Sequence, residues 1–199
     1  MTARVAIVDS GGANIASLAC ALERLGVQGT LTIDPEVIGA ASHVILPGVG
    51  AAAAAMRQIN QYNLADTIRS LKQPVLGICL GMQLLADSSE EDDALCLGII
   101  PAAARKLQAT PLAPVPNMGW CRVRQNQSHP LFRAVPDDSY FYFVHSYALP
   151  VADYSLATAM HSVPLTAVAA RDNFVATQFH PERSSTAGAR LLHNFLEMR

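Results

Sequence analysis

Short apolar runs without polar interruption mark the first half of the chain, and each ends in a turn-forming cluster or a reactive residue. Val5-Ala6-Ile7-Val8 runs into Asp9-Ser10-Gly11-Gly12, and Val44-Ile45-Leu46 into Pro47-Gly48-Val49-Gly50. Pro74 opens a third run, Val75-Leu76-Gly77-Ile78, which Cys79 closes. Runs that do not alternate with polar residues predict strands buried on both faces. Between them the apolar positions recur at helical spacing. Ile15, Leu18, Leu22 and Leu25 precede a stop at Gly26, and an alanine-rich stretch spans Ala51 to about Ile59. Leu64, Ile68 and Leu71 mark another helical face, as do Met82, Leu84 and Leu85 after Cys79. Buried strands alternating with helices predict a parallel sheet covered on both sides.

The second half reads differently. Met118 to Arg124, Tyr140 to Leu149, Leu156 to Met160, Leu165 to Ala170 and Val175 to Phe179 are predicted strands with few helices between them. Thr110 to Pro116 holds three prolines and reads as an extended loop. Ser88 to Ala94 is acidic and loop-like, and no function attaches to it. A last helix is predicted from about Thr186 to Met198, with Leu191, Leu192 and Phe195 facing inward. No internal repeat or low-complexity linker divides the chain. The expectation is a single domain over residues 1–199 with an α/β fold. Its one mixed, mostly parallel central sheet would be flanked by helices, parallel in the first half and partly antiparallel later.

Composition narrows the function classes. The chain has 199 residues, 51% hydrophobic and 15% charged, enough to bury a full core without disulfides or a structural metal. A formal net charge of −2 leaves no electrostatic footprint for nucleic acid or a membrane surface, though so low a charge suits an apolar docking patch. None of the four cysteines, Cys20, Cys79, Cys96 and Cys121, forms a C-x-x-C pair, so neither a zinc site nor a redox pair is expected. His43, His129, His161 and His193 are scattered without metal-ligand spacing, and no metal is expected. Gly11 and Gly12 make no dinucleotide fingerprint and no phosphate-binding loop motif is present, so no cofactor is expected. The Val5–Val8 run is too short for a signal peptide, and no apolar stretch reaches membrane-spanning length. A cytoplasmic setting is expected, where a free thiol survives.

Gly77-Ile78-Cys79-Leu80-Gly81 has the form G-x-C-x-G, the thiol counterpart of a nucleophile elbow between strand and helix. Such a turn sets Cys79 among unpaired backbone N–H groups at a helix start, which favour a thiolate, and aims the Leu80 amide where an oxyanion would form. The bland alternative is a buried cysteine in a tight turn. His180-Pro181-Glu182 also follows a predicted strand and supplies a base with an orienting carboxylate from one stiffened turn. Taken alone it is a surface histidine beside a solvated charge; with the elbow it completes a triad. The chain order of nucleophile, histidine, acid differs from that of the α/β-hydrolases. Pro47-Gly48-Val49-Gly50 ends a parallel strand on the ligand-binding edge and is a candidate second oxyanion donor, through the amide of Val49 or Gly50. His145, in an aromatic strand, reads as a core histidine, and Cys20 as packing.

These elements together resemble the triad-type glutamine amidotransferases. Asp9-Ser10-Gly11-Gly12-Ala13-Asn14, the P-G-V-G loop, Gly77 to Gln83, Asn117-Met118-Gly119-Trp120, Tyr142-Phe143-Val144-His145-Ser146-Tyr147 and Gln178 to Ser184 resemble, in order, the glutaminase subunits of imidazole glycerol phosphate synthases. The resemblance implies a class I glutamine amidotransferase-like fold with Cys79, His180 and Glu182 as catalytic triad. It implies that Gln83 holds the substrate glutamine, helped by Gly50, Ser146 and Tyr147. Ammonia would pass to a separate cyclase subunit with a (β/α)8-barrel fold, in a heterodimer whose interface includes Asn14, Trp120 and Arg183. The cyclase would make imidazole glycerol phosphate and an aminoimidazole carboxamide ribotide in histidine biosynthesis. Other amidotransferase subunits, a non-catalytic cyclase-activating partner and a stand-alone thiol hydrolase are the alternatives. The M-G-W and F-V-H-S-Y segments, the intact triad and the H-P-E turn respectively disfavour them.

Overall fold

The computed structural model describes residues 3–11 and 15–199. Along the chain these form β1 (Val5–Val8), α1 (Ile15–Arg24), β2 (Gly29–Thr32), α2 (Pro35–Ala40), β3 (His43–Gly48), α3 (Ala52–Gln61), α4 (Leu64–Ser70), β4 (Val75–Cys79) and α5 (Leu80–Leu84). There follow β5 (Ala86–Ser89), β6 (Ala94–Leu95), β7 (Ile100–Lys106), β8 (Asn117–Gln125), β9 (Ser139–His145), β10 (Tyr147–Ala148), β11 (Ser155–Met160), β12 (Pro164–Arg171), β13 (Phe174–Thr177) and α6 (Ser185–Leu196). Among the described residues no helix is long and apolar enough to cross a membrane.

The large sheet runs in the order β2-β1-β3-β4-β13-β12-β11-β8-β9. Pairing is parallel from β2 through β13 and antiparallel from β13 to β9. The apolar runs form the parallel part because both faces are covered. In β1, Val5 and Ile7 join one core cluster with Leu22, Phe179 and Phe195, while Ala6 and Val8 join the other with Leu46, Ile59 and Leu64. Successive side chains of a strand point to opposite faces, so continuous hydrophobicity is what two covered faces require.

The expected single sheet has a companion. A four-stranded sheet, β10-β7-β5-β6, packs beside α5 and was not legible in the sequence. Its strand β5, Ala86 to Ser89, lies partly inside the segment read as a loop. The strand predicted over Tyr140 to Leu149 is broken at Ser146, whose carbonyl accepts from Leu107 N–H at 2.8 Å as the chain leaves β9 for β10. The helix after Cys79 is only five residues long. Its dipole is correspondingly slight, and the local N–H groups carry the electrostatic effect expected there.

Candidate active site

β4 and β13 are neighbours, parallel and in register, with Ile78 opposite Thr177. The residues that follow each strand therefore leave the sheet at the same carboxyl edge, where open α/β sheets collect ligands. That places Cys79 beside the segment from Gln178 to Glu182.

Cys79 sits at φ 54°, ψ −107°, a left-handed conformation that costs a non-glycine residue about 1–2 kcal/mol. Crowding holds it there. A Cβ on Gly77 would stand 2.9 Å from both Gly81 O and Leu85 Cδ1, and one on Gly81 would run into Leu46 O. The glycines of the elbow are thus the condition for packing α5 against β3 and β4.

His180 and Glu182 occupy the other turn. His180 Nδ1 lies 2.8 Å from Glu182 Oε1, with the two side chains 7% and 4% exposed. Because the carboxylate accepts, Nδ1 carries hydrogen and Nε2 faces the cysteine side. Burial works to lower the His180 pKa, but the Cys79 sulfur and the Glu182 carboxylate outweigh it and raise it to about 10. In this rotamer no hydrogen bond joins Sγ to the imidazole: Nε2 is buried without a partner among the described residues. The sulfur instead approaches Val144 O, 3.6 Å away, and receives Gln178 Nε2 at 3.8 Å. Burial pushes the Cys96 thiol up to about 11 and raises that of Cys121.

The turn that carries His180 is bolted to β9. His180 N–H donates to Tyr142 O at 2.9 Å, and Ser184 Oγ accepts from Tyr142 N–H at 2.9 Å while donating to His180 O at 2.6 Å. At Tyr142 this turn closes the outer edge of β9.

Cys79 and His180 open onto a pocket of about 320 Å³. Val49, Gly50 and Leu80 line it, as do Gln83, Ser146 and Tyr147. The structure therefore gathers every residue named from the sequence as oxyanion donor or glutamine contact around one cavity. Gly50 has φ 90°, open only to glycine without strain, and a Cβ there would meet nothing within 4 Å. Gln83 is buried, and its Nε2 donates to Tyr147 O at 3.0 Å and to Gln178 Oε1 at 3.3 Å.

Three polar residues in or behind the pocket had no assigned role. Glu91, in the segment read as a featureless acidic loop, reaches the pocket, and its Oε2 accepts from Ala52 N–H at 2.9 Å at the start of α3. His145 is a buried histidine, as expected, but it also lines the pocket. Burial takes its pKa down to about 4, so the ring is neutral, with Nδ1–H donating to Tyr147 O at 2.8 Å and Nε2 accepting from Asn117 Nδ2 at 3.0 Å. Gln178, fully buried, is the third. An acidic residue in a polar segment has the pattern of a solvated charge, and a glutamine inside an apolar strand carries no spacing signal.

Trp120 is 51% exposed. It shares the outer face of β8 with Met118 and Arg122, and pairs across to Tyr142 of β9, ring centroids 6.1 Å apart. Arg183, exposed, lays its guanidinium 4.6 Å from the centroid of the same Tyr142 ring. Trp120, Tyr142 and Arg183 thus form one surface that adjoins the His180 turn. Asn14, named with them for the interface, lies outside the described residues.

Comparison with known proteins places the chain in a family. The family described as glutamine amidotransferase class-I matches residues 6–198. The "Imidazole glycerol phosphate synthase subunit HisH" of Vibrio cholerae serotype O1 is 47% identical over 204 residues, covering 100% of both chains. The protein of the same name from Yersinia pseudotuberculosis serotype I is 48% identical over 195 residues, covering 98% of this chain and 99% of its own. Among solved structures, PurLQS from Thermotoga maritima superimposes with a TM-score of 0.73 at 18% identity, covering 99% of each chain, a likeness of fold alone.

Proposed function

The chain belongs to the class-I glutamine amidotransferases, and on that premise we propose that it is the glutaminase subunit of an imidazole glycerol phosphate synthase. It hydrolyses glutamine to glutamate and passes ammonia to a separate cyclase subunit, a (β/α)8 barrel, in cytoplasmic histidine biosynthesis. The observation that carries the chemistry is the buried His180–Glu182 pair at the same sheet edge as the strained Cys79.

In this reading Cys79 attacks as thiolate on the side-chain carboxamide carbon of glutamine. Negative charge develops on the carboxamide oxygen, met by Leu80 N–H and by an amide of the Val49–Gly50 loop. His180, already raised in pKa, gives its proton to the departing nitrogen, and the C–N bond breaks to leave a thioester and ammonia. Water then attacks the thioester with His180 as base, releasing glutamate and restoring the thiolate. Glu182 keeps the proton on Nδ1 so that Nε2 does the transfer. Glu91 and the Gln83 oxygen offer acceptors to the substrate α-ammonium, and Gly50, Ser146 and Tyr147 complete the seat. Glutaminase activity measured with and without a cyclase subunit and its nucleotide ligand tests the assignment; no response to either would overturn the subunit reading.

Gly50→Pro probes the oxyanion loop. Proline fixes φ near −65° and removes the amide hydrogen, so it cannot occupy the observed φ of 90°. A lost oxyanion donor costs on the order of 100-fold or more in rate. Turnover with glutamine should fall by that factor while the circular dichroism spectrum stays that of the parent; wild-type turnover would remove the loop from the mechanism.

Trp120 and Arg183 probe the docking face. Truncating an interfacial aromatic anchor typically costs about 2 kcal/mol or more, roughly 30-fold in Kd. Titration calorimetry of Trp120→Ala against the cyclase subunit should show that loss. Arg183→Ala, which strips the cation from Tyr142, should show a smaller one. Unchanged affinity in both would move the interface elsewhere.

A further inference from the structure

Gln178 takes no part in the steps above, yet both ends of its side chain are spent on groups that do. Its Oε1 accepts from Gln83 Nε2 and its Nε2 donates to Cys79 Sγ. The polarity of this chain is fixed by one group that has no choice. Tyr147 O is a backbone carbonyl and only accepts, so the amide end facing it at 3.0 Å is the Gln83 nitrogen. The other hydrogen of that nitrogen goes to Gln178, which must then present oxygen to Gln83 and nitrogen to the sulfur. With both hydrogens of Gln83 Nε2 occupied, its oxygen is the end left for a ligand.

We propose that Gln178 is a positioning residue that joins the substrate seat to the nucleophile: it locks the Gln83 amide as an acceptor toward glutamine and favours the Cys79 sulfur as thiolate. The inference rests on the reading of Cys79 as nucleophile and Gln83 as a glutamine contact. The two contacts of Sγ oppose each other. The approach to Val144 O suits S–H, because a carbonyl oxygen repels a sulfur anion. The N–H from Gln178 suits S⁻, because a donor to a charged acceptor strengthens. Gln178 therefore weights the equilibrium toward the reactive form. A substrate glutamine that donates an N–H to the Gln83 oxygen polarises the same chain, adding to the pull on the sulfur.

Gln178→Met keeps the length of the side chain and removes both donor and acceptor. Alkylation of Cys79 by iodoacetamide, followed across pH on the Cys79 peptide by mass spectrometry, reads the thiolate fraction without any glutamine turnover. Its pH midpoint should rise by about one unit, so that alkylation below the midpoint slows roughly tenfold, as expected for a lost hydrogen bond to a charged group. With the cyclase subunit present, KM for glutamine should rise several-fold as the Gln83 amide becomes free to turn over. A structural role alone would leave the alkylation midpoint in place. An unchanged midpoint overturns the proposal, and so does an unchanged KM. Should Gln178→Met fail to fold, the side-chain NH2 resonance of Gln178 in the parent protein reports instead. It should shift with pH at the alkylation midpoint, and that shift should vanish in Cys79→Ala; a resonance that ignores the ionisation of Cys79 overturns the proposal. Failure of the functional reading has a different sign: glutamine hydrolysis would survive in Cys79→Ala.

Discussion

Cys79→Ala is expected to abolish glutamine-driven synthesis while leaving synthesis fed with free ammonia at the rate of the parent complex. The side chain removed is small and sits in an elbow held by backbone crowding, with Gly77 and Gly81 packed against their neighbours, so the fold and the docking surface have no reason to change. What is lost is the sulfur that forms the acyl intermediate in this reading. Removing the nucleophile of a triad costs on the order of a millionfold in turnover, because the remaining base and oxyanion donors have nothing to act with. Glutamine should still bind, since Gln83, Glu91 and the Ser146–Tyr147 wall are untouched. Two assays on one preparation decide the matter: glutamate release from glutamine, and formation of the cyclase product with ammonium salt in place of glutamine. Residual glutamine use, or a parallel fall in both assays, would show that Cys79 is not the nucleophile of this subunit.

Gly81→Ala should be the most damaging conservative change in the chain. Its added methyl is aimed into Leu46 O, a backbone atom of β3, and Leu46 is itself paired opposite Gly77 of β4. No rotamer relieves a Cβ, and neither the strand nor the short helix can retreat without opening the core beneath them. A change that forces rigid elements apart costs about 3 kcal/mol or more, and for a chain of this size that lowers Tm by about 10 °C. Gly39→Ala, inside α2 with nothing within 4 Å of the new Cβ, supplies the control. It should be neutral or stabilising by up to about 1 kcal/mol, since alanine is the better helix former. Equal Tm values for the two variants would mean that the elbow does not depend on the close approach of Gly81 to β3.

The difference between what was legible and what was not follows from how much each residue's environment constrains its type. β1, β3 and β4 are covered on both faces, and that demand leaves an unbroken apolar run in the sequence. β2, Gly-Thr-Leu-Thr, lies at the sheet's rim with its residues half-buried or exposed, so neither alternation nor continuity marks it. α2 was missed although Asp34 caps it through Glu36 N–H at 2.8 Å and Pro35 opens it, because six residues are too few to show a helical period. β5 reads Ala-Asp-Ser-Ser and is held by its neighbours β6 and β7, not by its own propensity. In the candidate site the same rule applies. A cysteine between two glycines and a histidine two residues before a glutamate are rare for packing reasons alone, so Cys79 and His180 stand out. Glu91 and Gln178 have ordinary neighbours in sequence and acquire their places only when β5 and β13 bring them to the pocket.

The position of β13 also sets an order of events for a chain being made. It is the strand inserted between β4 and β12, parallel to one and antiparallel to the other, and in the chain it follows all the other strands of the sheet. Until Phe174 and the residues after it have emerged, β4 can only be the outer strand of a four-strand parallel block, and the thiol at its end has neither imidazole nor carboxylate beside it. Pairing of β4 with β13 spans about half the chain in sequence, the kind of distant closure that forms late. A chain cut before β13 therefore lacks the paired turn on which the proposed hydrolysis of glutamine depends.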